Sequence, residues 1–146
     1  YINSIYVSSE SKEILSYSKK INLKVIHRPK NLSGDKIFKM AAIRHAVEVI
    51  SKKNKPSLII SLQPNSPDIK TYEIDKAIDK LIMNDLNEVI SVDENYNQNG
   101  ALRVMRYNSS LQKELSTHCG FIMTNTSDIH NLDDIKNLNN KKNESK

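Results

Sequence analysis

Apolar residues fall into short runs and helical stripes that alternate along this chain. Alternating apolar residues over Ile2–Ser9 and again over Leu23–Arg28 predict two strands. The continuous apolar run SLIISL, residues 57–62, is typical of a strand buried on both faces of a parallel sheet. VISV at residues 89–92, followed by ALRVMR and GFIMTN, predicts three further strands.

Helical spacing separates these strands. The segment after the first strand places Ile14, Leu15, Ser18 and Ile21 near one helical face. A longer helix is predicted from Lys36 to about Lys53, with Asp35 as its N-cap, and a last one from Leu132 to about Leu138. The clearest amphipathic pattern begins at Thr71 and has core-facing positions at Ile74, Ala77, Ile78, Leu81 and Ile82. Strands alternating with helices predict the α/β class, with a mostly parallel sheet between two helical layers.

Length and composition limit the number of domains that the chain can form. With 146 residues, of which 38% are hydrophobic, the chain predicts one domain over residues 1–138 and a disordered polar tail, NNKKNESK, over residues 139–146. No apolar run is long enough to span a membrane and no signal-peptide pattern is present, so we expect a cytoplasmic protein. The lone Cys119 predicts an ordinary, partly buried thiol.

The net charge narrows the class of partner. The formal charge is +5, but the lysines are scattered and aromatic residues make up only 5% of the chain. This pattern argues against nucleic acid as a partner, because no basic stripe with aromatic residues is visible. A small polyanion matches the charge at least as well.

The loop SLQPNSPDIK, residues 61–70, carries the strongest candidate chemistry. In α/β sheets, ligands bind outside the carboxyl ends of the strands, where this loop is expected to lie. Pro64 and Pro67 fix two φ angles and limit the flexing of the loop. Gln63 offers both a donor and an acceptor, so its amide can read a base edge. The alternative interpretation is a turn that only closes a strand.

Five segments resemble, in order, motifs of the acylneuraminate (CMP-sialic acid synthetase-like) cytidylyltransferase family. SLQPNSPDIKTYEIDKAI is similar to the family's L-Q-P-T-S-P-L-R and the helix after it, and YVSSESKEI is similar to V-S-T-D-S-x-E-I. HRPKNLSGD, QNGALRVM and SDIHNLDDI resemble R-P-x-x-L-x-x-D, N-G-A-I-Y-I and D-I-D-T-x-x-D-L. The resemblance implies a three-layer, Rossmann-like nucleotidyltransferase fold. It also implies transfer of CMP from CTP to a sugar acid with Mg²⁺, giving a CMP-sugar for surface polysaccharide synthesis.

The resemblance also implies binding residues, although it assigns no catalytic residue. The nucleotide-binding positions are Arg28, Gln63, Asn65 and Ser66, and the metal-binding position is Asp128. The sugar-acid positions are Asn99, Gly100, Ala101 and Arg103. Simpler interpretations stay open: Arg28 as a solvated loop cation, Asn99–Gly100 as a hairpin turn, and Asp128 as the cap of a turn.

Departures from the family pattern favour a second interpretation. Tyr1 falls at what looks like the family's second strand, so the first strand and its glycine-rich phosphate loop are not in this sequence. We therefore expect either a fragment of a longer product or a rearranged sheet. His130 stands where a second metal-binding aspartate is expected, and the family's dimerisation insert is reduced to DENYNQ, although a homodimer remains compatible with the sequence. The alternative function is a catalytically inactive nucleotide- or sugar-binding remnant.

Overall fold

A computed structural model describes residues 2–34 and 36–144, with side chains as far as residue 140. Contacts divide the chain into two compact units, each described here by itself. The first unit comprises Tyr1–Ile59 and Tyr107–Leu115, and the second comprises Ile60–Arg106 and Ser116–Lys146. Both combine helices and strands, so the chain is of the mixed α/β class. A single domain over residues 1–138 stays a prediction, because a division by contacts does not show whether either unit folds without the other.

The first unit begins with a parallel strand–helix–strand motif. Strand β1 (Tyr6–Ser9) pairs in parallel with β2 (Lys24–His27), and helix α1 (Lys12–Lys20) packs against both strands. Ser11 starts the helix because its Oγ accepts a hydrogen bond from the backbone N–H of Ile14 at 3.3 Å.

Only part of the predicted inner face of α1 is buried. Leu15 and Ser18 lie against the strands, whereas Ile14 and Ile21 are exposed, so the four residues predicted near one helical face are not buried together. Two strands of four residues offer too little surface to cover a wide helical face.

Apart from its connections and the first two residues of a strand that continues into the second unit, the rest of the first unit is helical. A 3₁₀ turn (Lys30–Leu32) precedes helix α2 (Lys39–Ser51), and α2 contacts the short helix α4 (Tyr107–Ser110). Phe38 occupies the N-cap position of α2. The helix therefore begins later than predicted, and the predicted cap, Asp35, lies outside the described residues.

A four-stranded mixed sheet lies in the second unit, except that Leu58 and Ile59 of its first strand fall in the first unit. Its strands are β3 (Leu58–Leu62), β4 (Glu88–Val92), β5 (Gln98–Arg106) and β6 (Cys119–Met123), in the order β3-β5-β4-β6. Strand β4 is antiparallel to β5 and parallel to β6. Helix α3 (Thr71–Met83) packs against β4, β5 and β6.

The run SLIISL does not form the innermost strand. Strand β3 lies at one edge of the sheet and is only partly buried, whereas β4 lies inside and buries four of its five residues. The prediction of β3 as a strand buried on both faces of the sheet is therefore wrong. Hydrophobic content indicates that a segment is a strand, but the pairing of β5 between β3 and β4 decides which strand is central.

Helix α5 (Leu132–Glu144) closes the second unit. The Oδ2 atom of Asp134 accepts hydrogen bonds from the backbone N–H groups of His130 and Asn131 at 2.8 and 3.0 Å, and these bonds hold the pKa of Asp134 below its usual value. The helix continues beyond the predicted end near Leu138, so the tail predicted as disordered is helical as far as Glu144. Within the described ranges, no helix is long and apolar enough to cross a membrane.

Candidate functional site

The first unit places a pocket at the carboxyl ends of its two parallel strands. Glu10 follows β1 and Arg28 follows β2, and the backbone N–H of Arg28 donates to the carbonyl of Ser9 at 2.9 Å. Because the strands are parallel, the two charged side chains emerge at the same end of the sheet. The pocket has a volume of about 340 Å³, at the lower end of the range of small-molecule sites. We call it the Arg28 pocket.

The Arg28 guanidinium is held from two directions. Its Nη2 atom lies 2.6 Å from Oε2 of Glu10, and its Nε donates to Oγ of Ser33 at 3.1 Å. Ser33 in turn donates to the carbonyl of Pro29 at 3.2 Å. The hydrogen bond from Arg28 holds the pKa of Glu10 below its usual value. The interpretation of Arg28 as a solvated loop cation therefore does not describe this side chain, which is fixed and paired.

The remaining walls of the Arg28 pocket are mixed in character. Leu32, Ile37 and Ala42 supply apolar surface, and Gly34 lies where the chain turns. Gly34 has a φ of 109°, which L side chains rarely adopt, so glycine is required there by the backbone. A lining that combines a guanidinium, a carboxylate and apolar surface is suited to a planar, polar ligand that donates and accepts hydrogen bonds.

In the second unit, the loop after β3 is tied to the segment before α5. The backbone N–H of Ile129 donates to the carbonyl of Asn65 at 2.8 Å, and Nδ2 of Asn65 donates to Oδ1 of Asp128 at 2.5 Å. Asp68 accepts the backbone N–H of Ser127 with both carboxylate oxygens, at 3.0 and 3.1 Å. The structure thus brings the predicted nucleotide residue Asn65 together with the predicted metal residue Asp128.

Asp128 is already engaged on both oxygens. His130 Nε2 lies 2.9 Å from Oδ2, and Asn65 holds Oδ1. A Mg²⁺ site requires near-octahedral oxygen ligands, and an imidazole is a poor member of such a set. Within the part of the chain that the structure describes, no cluster of three His, Cys, Asp or Glu residues could hold a metal. The residues around Asp128 therefore do not fit Mg²⁺ as they stand, and Mg²⁺ dependence stays a prediction.

The other loop residues are placed differently. The Ser66 backbone N–H donates to the carbonyl of Gln63 at 3.1 Å, forming a turn, and Ser66 is buried. The backbone N–H of Gln63 donates to the carbonyl of Ala101 at 3.0 Å, which continues the pairing of the sheet past β3. The roles of Gln63 and Ser66 in nucleotide binding stay predictions.

Asn99, on β5, forms hydrogen bonds with β4 and with the residue that follows β6. Its Oδ1 accepts from Oγ of Ser91 at 2.5 Å and from the N–H of Ala101 at 3.2 Å, and its Nδ2 donates to Oγ1 of Thr124 at 2.8 Å. Asn99 and Gly100 lie within β5, so they are not the hairpin turn. Gly100, with a φ of 72°, sits where the register between β4 and β5 shifts. The predicted sugar-acid residues Asn99 and Ala101 thus have a structural part in the sheet.

Arg103, the last predicted sugar-acid residue, forms a buried ion pair. Its Nε donates to Oε2 of Glu88 at 2.7 Å, and its Nη2 lies 2.5 Å from the same oxygen. Oε1 of Glu88 accepts the backbone N–H of Ser116. The side chain of Glu88 is 0% exposed and that of Arg103 is 11% exposed. The guanidinium is therefore committed to Glu88 in the described structure.

Cys119 lies beside this ion pair on β6. Burial, followed by the charge of Glu88, raises the pKa of the thiol to about 11. We expect Cys119 to react with a disulfide reagent at pH 8 at least about tenfold more slowly than a free cysteine, because the loss of thiolate outweighs its greater nucleophilicity. The native rate should keep rising with pH until about 11. A stopped-flow measurement that gives equal rates in buffer and in denaturant would contradict this prediction.

Glu10 is a pocket residue in direct contact with Arg28 that the sequence motifs did not single out. The motif YVSSESKEI contains it, but nothing in one sequence shows which residue will face Arg28. The position of Glu10 in the sequence was the one indication of this contact, because Glu10 directly follows a predicted strand, as Arg28 does. Compared with protein-family models and with curated protein sequences, the chain matches none.

Proposed function

We propose that this protein is a cytidylyltransferase-like protein that binds CTP and transfers CMP to a sugar acid. The supporting observation is the Arg28 pocket, in which a fixed guanidinium and a partly apolar wall lie at the carboxyl ends of parallel strands. A guanidinium in this position can donate to a pyrimidine carbonyl or to a phosphate oxygen. The order of the five sequence motifs supports the same assignment. A three-layer, Rossmann-like arrangement and a cytoplasmic location belong to this proposal.

The chain's own residues would act by positioning rather than by covalent chemistry. Glu10 and Ser33 keep the Arg28 guanidinium in one orientation, so little side-chain entropy is lost when a nucleotide binds. In phosphoryl and nucleotidyl transfer, the protein contributes mainly orientation and charge neutralisation. Basic groups in the pocket would serve both purposes.

A catalytically inactive nucleotide- or sugar-binding remnant is the second candidate. Two observations favour it: Arg103 is neutralised by buried Glu88, and Asp128 is hydrogen-bonded by His130 at the position where the family resemblance expects a second aspartate. Both groups are thereby committed to contacts within the chain. A remnant of this kind would bind CMP or CTP without releasing pyrophosphate.

Calorimetric titration with CTP, CMP and ATP tests the proposal. We expect cytidine nucleotides to bind more tightly than ATP. We expect Arg28→Met to raise the dissociation constant for CTP by about tenfold to a hundredfold, the loss of a hydrogen bond to a charged group. Arg106→Met removes one positive charge at a residue that does not line the pocket, and it serves as the matched control.

Three outcomes are informative. Pyrophosphate release in the presence of CTP and a sugar acid supports the transferase, and cytidine binding without release supports the remnant. Repeating the titration with and without Mg²⁺ tests the predicted metal dependence. Equal binding of CTP and ATP, or an unchanged dissociation constant for Arg28→Met, would remove the nucleotide assignment.

A further inference from the structure

Helix α1 and its C-cap residue, Ile21, carry a line of exposed apolar side chains beside the face that packs on the strands. Ile14, Tyr17 and Ile21 are 51%, 65% and 50% exposed. Their spacing of three and then four residues places them in one row along the helix, with the ends about 10 Å apart. Isolated exposed apolar residues are normal on a protein surface, but a row of three large ones on a single helix is a patch. We call this row the α1 stripe.

The α1 stripe has the spacing of a helix-pairing seam. In paired helices, apolar residues recur at alternating intervals of three and four, and the positions beside the seam carry the charges that select the partner. Glu13 and Lys20 are the residues that precede Ile14 and Ile21, so both flank the stripe on the same side. Both are exposed, and neither forms an ion pair with another described residue.

Glu13 and Lys20 do not neutralise each other within one helix. Seven residues separate them, which is about 10 Å along the helix axis, and this exceeds the reach of a salt bridge. The acidic residue lies at the beginning of the stripe and the basic residue at its end. The surface therefore presents opposite charges at its two ends.

The charges beside the α1 stripe are complementary to those of a second copy that runs in the opposite direction. If two copies of α1 pair in antiparallel orientation about a two-fold axis near Tyr17, Glu13 of one copy lies beside Lys20 of the other, twice. The same axis places Ile14 opposite Ile21. A two-fold interface uses the same patch on both copies, so one surface must supply both complementary partners. The α1 stripe meets this condition without any further residue.

We propose that the occupant of the α1 stripe is a second copy of this chain, bound through an antiparallel pair of α1 helices. The proposal does not depend on the nucleotide function. A nine-residue helix buries less area than the roughly 1,200 Å² of a stable interface. The dimer is therefore weak, with a dissociation constant of about 10 μM to 1 mM.

Sedimentation equilibrium of the whole chain tests the proposal over about 10 μM to 1 mM, the range expected for an interface of this size. We expect a reversible monomer–dimer equilibrium. Tyr17→Lys should leave the chain monomeric throughout this range, because it places two like charges at the axis. Tyr72→Lys, at an exposed tyrosine of α3, is the matched control and should leave the dimer intact. Circular dichroism verifies that both variants are folded.

A charge exchange tests the antiparallel orientation. Glu13→Lys and Lys20→Glu should each raise the dissociation constant about tenfold, because two attractive pairs become repulsive in each dimer. The double variant Glu13→Lys/Lys20→Glu should return to within about threefold of the original value, because the pairs are re-formed with reversed signs. A parallel pair of helices gives no such recovery.

Each other outcome overturns a defined part of the proposal. A chain that is monomeric at every concentration has no second copy on the stripe. A dimer that persists in Tyr17→Lys uses another surface. A dimer that Tyr17→Lys abolishes but that the double charge exchange does not restore is not antiparallel.

Discussion

Replacing Arg103 by Met is expected to lower the free energy of unfolding by about 3–5 kcal/mol, the usual loss when one member of a buried ion pair is removed. The reason is the environment of its partner. Glu88 is 0% exposed, and without Arg103 its carboxylate keeps only the backbone N–H of Ser116 as a charge-stabilising partner among the described residues. The variant loses the attraction that offsets the free-energy cost of removing the carboxylate from water, but that cost remains.

The chain provides a control on the same strand. Arg106 pairs with Asp85 at 2.7 Å, but Asp85 is 92% exposed, so Arg106→Met should change stability by less than about 1 kcal/mol. Glu88→Leu/Arg103→Met removes both charges and should recover most of the stability lost in the single variant. Urea denaturation measures all three. If Arg103→Met lowered the free energy of unfolding by less than Arg106→Met does, Glu88 would be solvated.

Leu81→Ala is expected to lower the free energy of unfolding by about 2–5 kcal/mol, the range for truncation of a fully buried leucine. Leu81 is 0% exposed on the face of α3 that packs against the sheet. Truncation removes apolar contacts and leaves a cavity that the surrounding strands fill only in part.

The adjacent residue serves as the matched control. Ile82 lies on the same helix and is 52% exposed, so Ile82→Ala should cost less than about 1 kcal/mol. Thermal and urea unfolding of the two variants, at equal concentration, measure the difference. Equal losses would mean that the two side chains are equally buried in solution.

These two residues also show where local pattern stops being sufficient. The spacing of apolar residues over α3 predicts both Leu81 and Ile82 as inward-facing, and the helix begins at Thr71 as that pattern predicts. A helical face about 100° wide can accommodate both positions. How much of that helical face is buried depends on the surface that the helix packs against. The local sequence pattern holds no information about that surface.

The candidate site, too, could be predicted from the sequence only in part. Arg28 follows a strand that is visible in the sequence, so its position at a carboxyl end could be predicted. Its pairing with Glu10 depends on the parallel alignment of β1 and β2, which joins residues far apart in the chain. For the same reason, the commitment of Arg103 to Glu88 and of Asn99 to Thr124 could not be read from their motifs.

The sequence alone determined that the chain is of the mixed α/β class and where most helices and strands lie. Periodicity is a local property, and local spacing is sufficient to indicate an element. Only the tertiary structure decided that β3 lies at an edge, that α1 leaves a row of apolar residues exposed, and that five predicted binding side chains are held by contacts within the chain. Strand neighbours and side-chain partners are selected by contacts between distant segments, and many arrangements of those segments satisfy the same local pattern.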